Sequence, residues 1–405
     1  WRGQLWARGS DLVNATVSTA PGRASTSPAA EQFATPATGV GAALARRTAT
    51  GWGVWEVGVD LRAAEGESRE RFRYMAGDYT RSRVAGGRSA VGGVYLETSR
   101  QAGPWLVAGG VRLDGWSVGD ARRLERDLAT GGVTLDSRAD DRSGAVPTAR
   151  LGMRRDLGAG RAMRLAAYSG FRPPTLNELH RPFRVGNDIT EANPALEPER
   201  LYGAEAGLDG EAGAWSWSAT AFANRLANPV TNVTVGAGPG TFPLAGFVPA
   251  GGVLRQRMNA GRVDAVGLEA ELQGRLTETL GLRASLAATR ARVDGGAASP
   301  QLTGLRPAQA PGLTLTAGLD WRRSDWALTA QARFEGERFD DDLNSRVLEA
   351  GTTIDARVER RLGPVWLYLA AENLLDSNLE TAESADGVES LAAPRTLRLG
   401  LRWRR

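Results

Sequence analysis

Few residues in this sequence have the type and spacing that chemistry requires. The one histidine, His180, follows Glu178 in a stretch rich in turn formers. A zinc-type site takes three or four ligands, usually histidine, cysteine or carboxylate, and the chain has one histidine and no cysteine. His180 is therefore expected to be a solvated loop residue. The missing cysteines exclude a disulfide scaffold, a thiolate metal site and a thiol nucleophile. Asp340-Asp341-Asp342, beside Asn344, supplies hard oxygen ligands of the kind calcium takes, but a solvated acidic loop is the expected reading. No Walker loop, Gly-x-Ser-x-Gly elbow or His-Glu metallopeptidase pair occurs. The sequence points away from an enzyme and calls for no cofactor.

What must position these residues is a β-protein. The 405 residues include 51 glycines, and the formal charge is only +4. No window approaches 18 uninterrupted apolar residues, the length of a spanning helix. The basic residues are all arginine, with no Arg-rich block interleaved with aromatics, so nucleic acid is not an expected partner. Period-two alternation runs from end to end. Leu397, Leu399, Leu401 and Trp403 alternate with Arg398, Gly400, Arg402 and Arg404, and Leu313 to Trp321 and Val266 to Leu276 repeat the pattern. In a strand this makes one apolar and one charged face.

Three features favour a membrane barrel over a soluble sandwich. Many segments run ten residues or more, which suits a tilted crossing. Short connections (Gly9-Ser10, Gln101-Ala102-Gly103, Arg323-Ser324, Leu362-Gly363) alternate with long ones near 20–37, 64–87, 171–199, 228–256 and 374–394. Outer-membrane barrels have this asymmetry, with short turns in the periplasm. Trp6, Trp52, Trp105, Trp215, Trp321, Trp326, Trp366 and Trp403 lie near short turns or the chain end, as an interfacial aromatic girdle would. The expected fold is all-β: a transmembrane antiparallel β-barrel of about 17 strands. With Gly9-Ser10 as a periplasmic turn, the first strand runs inward and the count is odd. A 22-stranded barrel would then have about five strands in front of this chain, which is expected to be a processed product or a fragment.

Residues 168–208 contain Tyr-Ser-Gly-Phe-Arg-Pro-Pro-Thr-Leu-Asn-Glu-Leu-His, then Asn193-Pro-Ala-Leu-Glu-Pro-Glu-Arg-Leu, then Glu205-Ala-Gly-Leu208. This closely resembles the barrel of TonB-dependent receptors, where a Phe-Arg-x-Pro-Thr strand end precedes a loop and an Asn-Pro-x-Leu-x-Pro-Glu run. Val266-Gly-Leu-Glu269, Ala371-Glu-Asn-Leu-Leu-Asp376 and Ala393-Pro-Arg-Thr396 resemble further strands of that family, in its order. A structural role sits beside each motif. Pro173-Pro174 ends strand pairing. Glu205, Glu269 and Glu372 fall on the lumen-facing register, where arginines of neighbouring strands can pair with them. Asn373 and Asp376 suit a turn at a strand end.

The resemblance implies the β-barrel domain of such a receptor over residues 1–405, in part, with the amino-terminal plug domain and energy-coupling box not visible in this sequence. It implies energy-coupled uptake of a scarce large solute, such as a ferric siderophore, haem or cobalamin, across the bacterial outer membrane. The alternatives are a passive porin-like channel and a non-transport surface protein. The implied partners are outer-membrane lipid, TonB, a metal-chelate or cobalamin-like ligand, and the barrel-assembly machinery, which reads a terminal aromatic; Trp403 stands two places from the end. A monomer is expected. The loops at 171–199 and 228–256 are where ligand contacts are expected, with Arg181, Phe183, Arg184, Phe242 and Phe247 the side chains to test.

Overall fold

The computed structural model describes residues 1–20, 24–384 and 387–403. Arg404 and Arg405 of the last alternating segment, and parts of the expected loops at 20–37 and 374–394, lie outside the described residues. Among the described residues the main sheet has 19 strands. Three of them, Asn14–Thr19, Thr26–Ala34 and Val133–Arg138, are ladders inside connecting excursions. The remaining sixteen form an antiparallel wall, each paired with its neighbour in chain order. They are β1 (Arg2–Ser10), β2 (Ala37–Ala49), β3 (Val54–Met75), β4 (Asp78–Ala102), β5 (Trp105–Asp127), β6 (Arg142–Gly158), β7 (Arg161–Arg172) and β8 (Glu199–Ala212). Then follow β9 (Trp215–Ala227), β10 (Arg262–Arg275), β11 (Leu280–Asp294), β12 (Leu313–Arg323), β13 (Trp326–Glu335), β14 (Gly351–Leu362), β15 (Val365–Glu372) and β16 (Thr396–Trp403). No ladder joins β1 to β16 among the described residues.

Two expectations about this wall are corrected. Gly9-Ser10 is not a turn: the ladder with β2 continues through Gly9↔Thr38 and Ser10↔Ala37. The first short turn is at 50–53, so β1 runs away from the short-turn side rather than toward it, and β16 runs back to it. Residues 64–87 are not a loop either. They are the paired upper halves of β3 and β4, which are 22 and 25 residues long. A tilted crossing takes about 10 residues, so this hairpin stands well clear of the bilayer.

Alternation gives the wall its two faces. Val57, Val59 and Leu61 on β3, Val94 and Leu96 on β4, Leu268 on β10 and Leu367 and Leu369 on β15 are all exposed on the outer face. Such a continuous apolar band belongs in hydrocarbon. The lumen face carries ion pairs within and between strands. Arg112 donates to Asp60 (2.5 and 2.9 Å) and Asp114, Arg164 to Asp209 (2.7 Å), and Arg283 to Asp320 (2.7 Å). Of the three glutamates read as arginine partners, Glu372 pairs with Arg398. Glu205 instead accepts from the Tyr168 hydroxyl at 2.7 Å, and Glu269 has no ion pair among the described residues. Gly267, of the Val-Gly-Leu-Glu run, is needed for a close approach: a Cβ there would lie 2.5 Å from the Phe222 ring on the adjacent strand.

Seven of the eight tryptophans read as a girdle lie at the short-turn ends of the wall. Trp6 does not. It pairs with Gly41 in mid-strand, because the turn that seemed to adjoin it is strand.

Candidate functional site at the outer mouth

The long connections gather at the opposite end from the short turns, and two of them build one structure. After Arg172 ends β7, Pro173-Pro174 removes two backbone donors and stops the ladder. The chain then enters a one-turn helix, α1 (Leu176–His180). Thr175 caps it reciprocally: its Oγ1 accepts from Glu178 N–H (3.3 Å), while the Glu178 carboxylate accepts from Thr175 N–H (2.7 Å). Thr175→Ala should loosen this turn by about 1 kcal/mol, seen as faster amide exchange confined to residues near 176–180.

Arg172 clamps the loop at both ends. Its guanidinium donates to Glu178 (2.8 and 3.0 Å) and to Glu199 at the start of β8 (2.6 Å). Burial alone would raise the Glu178 pKa, but hydrogen bonds from Arg172 and Thr175 outweigh it and hold the carboxyl below its usual range. Glu199 also accepts from Val230 N–H (2.7 Å), which ties in the second loop. Leu179 and Leu196, each 1% exposed, pack with Val118 beneath the loop. The Asn-Pro-Ala-Leu run is thus structural. Asn193 accepts from Ala195 N–H and donates to the Arg257 carbonyl, while Leu196 fills the core.

Residues 183–185, 188–191, 253–259 and 230–237 form a four-stranded sheet over the mouth, in that order. The pairing of 188–191 with 253–259 is parallel, so the two loops fix each other. One face covers a small core of Ile189, Val248 and Leu254. A third loop is fastened to this sheet through Asp342, which accepts from Thr234 N–H and Oγ1, both at 2.7 Å. The acidic run is therefore not solvated. Asp341 and Asp342 are buried, and Asp341 accepts from Ser345 N–H, Ser345 Oγ and Arg346 N–H at 2.7–2.9 Å. Burial would raise its pKa, yet these bonds and the Arg346 charge lower it. No grouping of three or more His, Cys, Asp or Glu able to hold a metal occurs among the described residues.

A chain of alternating charges locks the first loop to the wall. Arg181 Nε donates to Glu70 (2.5 Å), Glu70 pairs with Arg83 (3.3 Å), and Arg83 with Glu125 (2.8 Å). Glu125 accepts from Arg123 (2.8 Å), which donates on to Glu191 (2.7 Å). The network starts and ends in the loop and crosses β3, β4 and β5. His180 lies behind it, buried rather than solvated as expected, with Nε2 unpartnered among the described residues. Desolvation pushes its pKa down to about 4.

The five side chains singled out for ligand contact have different settings. Arg181 is in the charge network, Phe183 lies under the Arg257 guanidinium (5.1 Å), and Phe242 packs on the Ile189 core. Phe247, at 59% exposure, is open to the outside. Arg184 is half-buried, donates only to the Gly186 carbonyl and has no carboxylate partner among the described residues. Desolvation lowers its pKa, so a bound anion would relieve it. Arg257 has the same character: it donates to the Asn177 and Arg181 carbonyls (2.5 and 2.8 Å), and desolvation again lowers its pKa. Nothing local in the sequence marks Arg257 or Glu70, whereas Arg172 stands inside the Phe-Arg-Pro-Pro-Thr motif.

A wide antiparallel barrel with an apolar outer band, a charged lumen and a braced outer mouth is the architecture of an outer-membrane receptor. The chain belongs to the TonB-dependent receptor family: the family model described as TonB dependent receptor-like, beta-barrel matches residues 3–374. Its fold is similar to that of the solved copper transporter OprC (TM-score 0.76, 17% identity, covering 99% of this chain and 62% of that one). It is also similar to the ferric yersiniabactin uptake receptor FyuA from Yersinia pestis (TM-score 0.72, 13% identity, 99% and 58%). The ferric citrate transporter FecA gives 0.66, 16%, 98% and 58%. The chain therefore spans about three-fifths of the length of these structures. No curated protein matches it. The family is one of receptors and transporters rather than enzymes, and it places the barrel in the outer membrane of Gram-negative bacteria.

Proposed function

We propose that residues 1–405 form the larger part of a receptor barrel that takes up a scarce large solute, a metal chelate or cobalamin-like molecule, with energy supplied through TonB. The observation that carries this reading is the mouth. Two long loops are built into one sheet and braced to the wall by buried charges, which is preorganisation for ligand capture rather than for a passive opening. The similar structures are a copper transporter, a ferric yersiniabactin uptake receptor and a ferric citrate transporter, which supports a metal or metal chelate. Among the described residues the outer edges of β1 and β16 are unpaired, which leaves room for further wall strands, and the plug and coupling box would lie outside these residues. The barrel works as a monomer, assembled by the barrel-assembly machinery.

Arg184 and Phe247 are the contacts this reading favours, since Arg184 has no carboxylate partner among the described residues and the Phe247 ring is exposed. Cells expressing the intact receptor should accumulate one of a panel of ferric siderophores, haem or cobalamin, and stop when the proton gradient is collapsed. Uptake that persists after collapse would mean a passive channel. Arg184→Gln with Phe247→Ser should weaken binding of that ligand about ten-fold or more, while the folded, heat-modifiable barrel band stays unchanged. Unaltered affinity would remove both residues from the site.

A further inference from the structure

Several arginines on the lumen face of the wall are held by carboxylates, as Arg112, Arg164 and Arg283 are, while Arg47, Arg62, Arg154 and Arg322 on that face have no ion pair among the described residues. A further set lies on the outer face at the short-turn rim, where no carboxylate is at hand. Arg46, Arg100, Arg155, Arg161, Arg323 and Arg360 each share the outward register of an apolar partner on their own strand. Leu44 precedes Arg46, Leu96 lies below Arg100, Leu151 below Arg155, Leu165 beyond Arg161, Leu319 before Arg323 and Val358 before Arg360. Each is close to a short turn. All six are exposed, and among the described residues none has an ion pair or a side-chain hydrogen bond.

Four of the six lie over a tryptophan: Arg46 over Trp1 (5.5 Å), Arg100 over Trp52 (5.3 Å), Arg155 over Trp105 (5.1 Å) and Arg360 over Trp326 (5.1 Å). The outward register positions of these strand ends carry no aspartate or glutamate. Four of these guanidiniums are thus set against an interfacial indole at one depth on the lipid-facing side. Stacking on indole leaves the planar fork free and fixes its direction. A fork held at the level of the headgroups is suited to bidentate hydrogen bonding of a phosphate.

We propose that this rim is a binding belt for anionic phospholipid of the periplasmic leaflet, with the arginines engaging the phosphates of phosphatidylglycerol or cardiolipin. The belt sets the depth of the barrel from the periplasmic side, leaving the outer mouth independent of it. It has no bearing on the transported solute.

The test uses the intact receptor in nanodiscs of phosphatidylcholine containing phosphatidylglycerol, with retained lipid counted by native mass spectrometry after release. The variant Arg100→Gln/Arg155→Gln/Arg360→Gln removes charge while keeping side-chain length. It should retain less phosphatidylglycerol, by roughly five-fold per guanidinium removed. The lumen variant Arg164→Gln/Arg283→Gln should retain as much as wild type. Heat-modifiability on gels establishes that each variant is a folded barrel, and Arg155→Lys, which keeps the charge, should recover part of the binding lost in Arg155→Gln. Equal retention by the rim variant and wild type, or equal loss in the lumen variant, would overturn the proposal. So would a rim variant that loses lipopolysaccharide rather than phosphatidylglycerol.

Discussion

Replacing Glu70 by glutamine should release the first mouth loop from the wall. Glu70 is 2% exposed and takes hydrogen bonds from Arg181 of the loop, Arg83 of β4 and Ser68. Glutamine keeps the volume but removes the charge, leaving two guanidiniums in a site from which water is largely excluded. Breaking a buried pair in this way costs about 3–5 kcal/mol, far more than the pair contributes relative to an apolar substitute. The loss falls on loop docking rather than on the barrel, because the wall ladders on either side do not depend on Glu70. Amide exchange in 183–191 and its partner strand 253–259 should accelerate by two orders of magnitude or more, about what 3 kcal/mol implies. Strands β10 to β14 should exchange as before. The exposed pair Arg122–Asp136 supplies the control: Asp136→Asn should change nothing measurable. Unchanged protection of 183–191 in Glu70→Gln would show that the loop is held by Leu179 and Leu196 alone.

This network also explains which parts of the molecule were legible in the sequence. Wherever the wall crosses lipid, one face must be apolar, so Leu313 to Trp321 and Leu397 to Trp403 announce themselves by alternation. Above the bilayer neither face meets hydrocarbon. In Arg69-Glu70-Arg71 the alternation disappears although the ladder continues through Arg69↔Val84 and Arg71↔Ser82, and the segment reads as loop. Gly9-Ser10 misled for the opposite reason: two turn-forming residues sit inside a strand whose pairing is fixed by β2. The motif Pro173-Pro174-Thr175 with Glu178 was readable as a strand end because its logic is local, a cap and a clamp within a few residues. Arg181, Phe183 and Phe242 were drawn to the ligand by residue type. Arg181 and Phe183 are instead held by Glu70 and Arg257, more than 70 residues away in the chain, and no local pattern carries that information. Asp342 and His180 share this history, with a partner in Thr234 for one and packing beside Gly87 for the other supplied by distant elements.

His180 makes the mouth sensitive to acid in a defined window. Its ring is packed against β4 beside Gly87, where even a Cβ would lie 3.2 Å from Nε2. Nε2 has no partner among the described residues, and desolvation outweighs the backbone hydrogen bond with Leu179, keeping the imidazole neutral down to about pH 4. When the loop is released, the group returns to a value near 6.5. Above pH 6.5 both states are neutral, and the packing has no dependence on this residue. Between 6.5 and 4 the released state binds the proton and the packed state does not, so packing weakens as pH falls, by on the order of 3 kcal/mol once the window is crossed. Glu178 and Asp341 are held below their usual carboxylate ranges, so their own loss of stabilisation begins at lower pH, leaving 6.5 to 5 to the histidine. Protection factors for 176–191, corrected for intrinsic exchange, should drop roughly thirty-fold from pH 7 to pH 5 in the intact receptor. His180→Phe, which fills the same apolar space without a titrating group, should be flat over that range. A flat wild type would mean that the ring finds a proton acceptor in solution. An equally steep His180→Phe would move the acid response to the charge network that ends on Glu191.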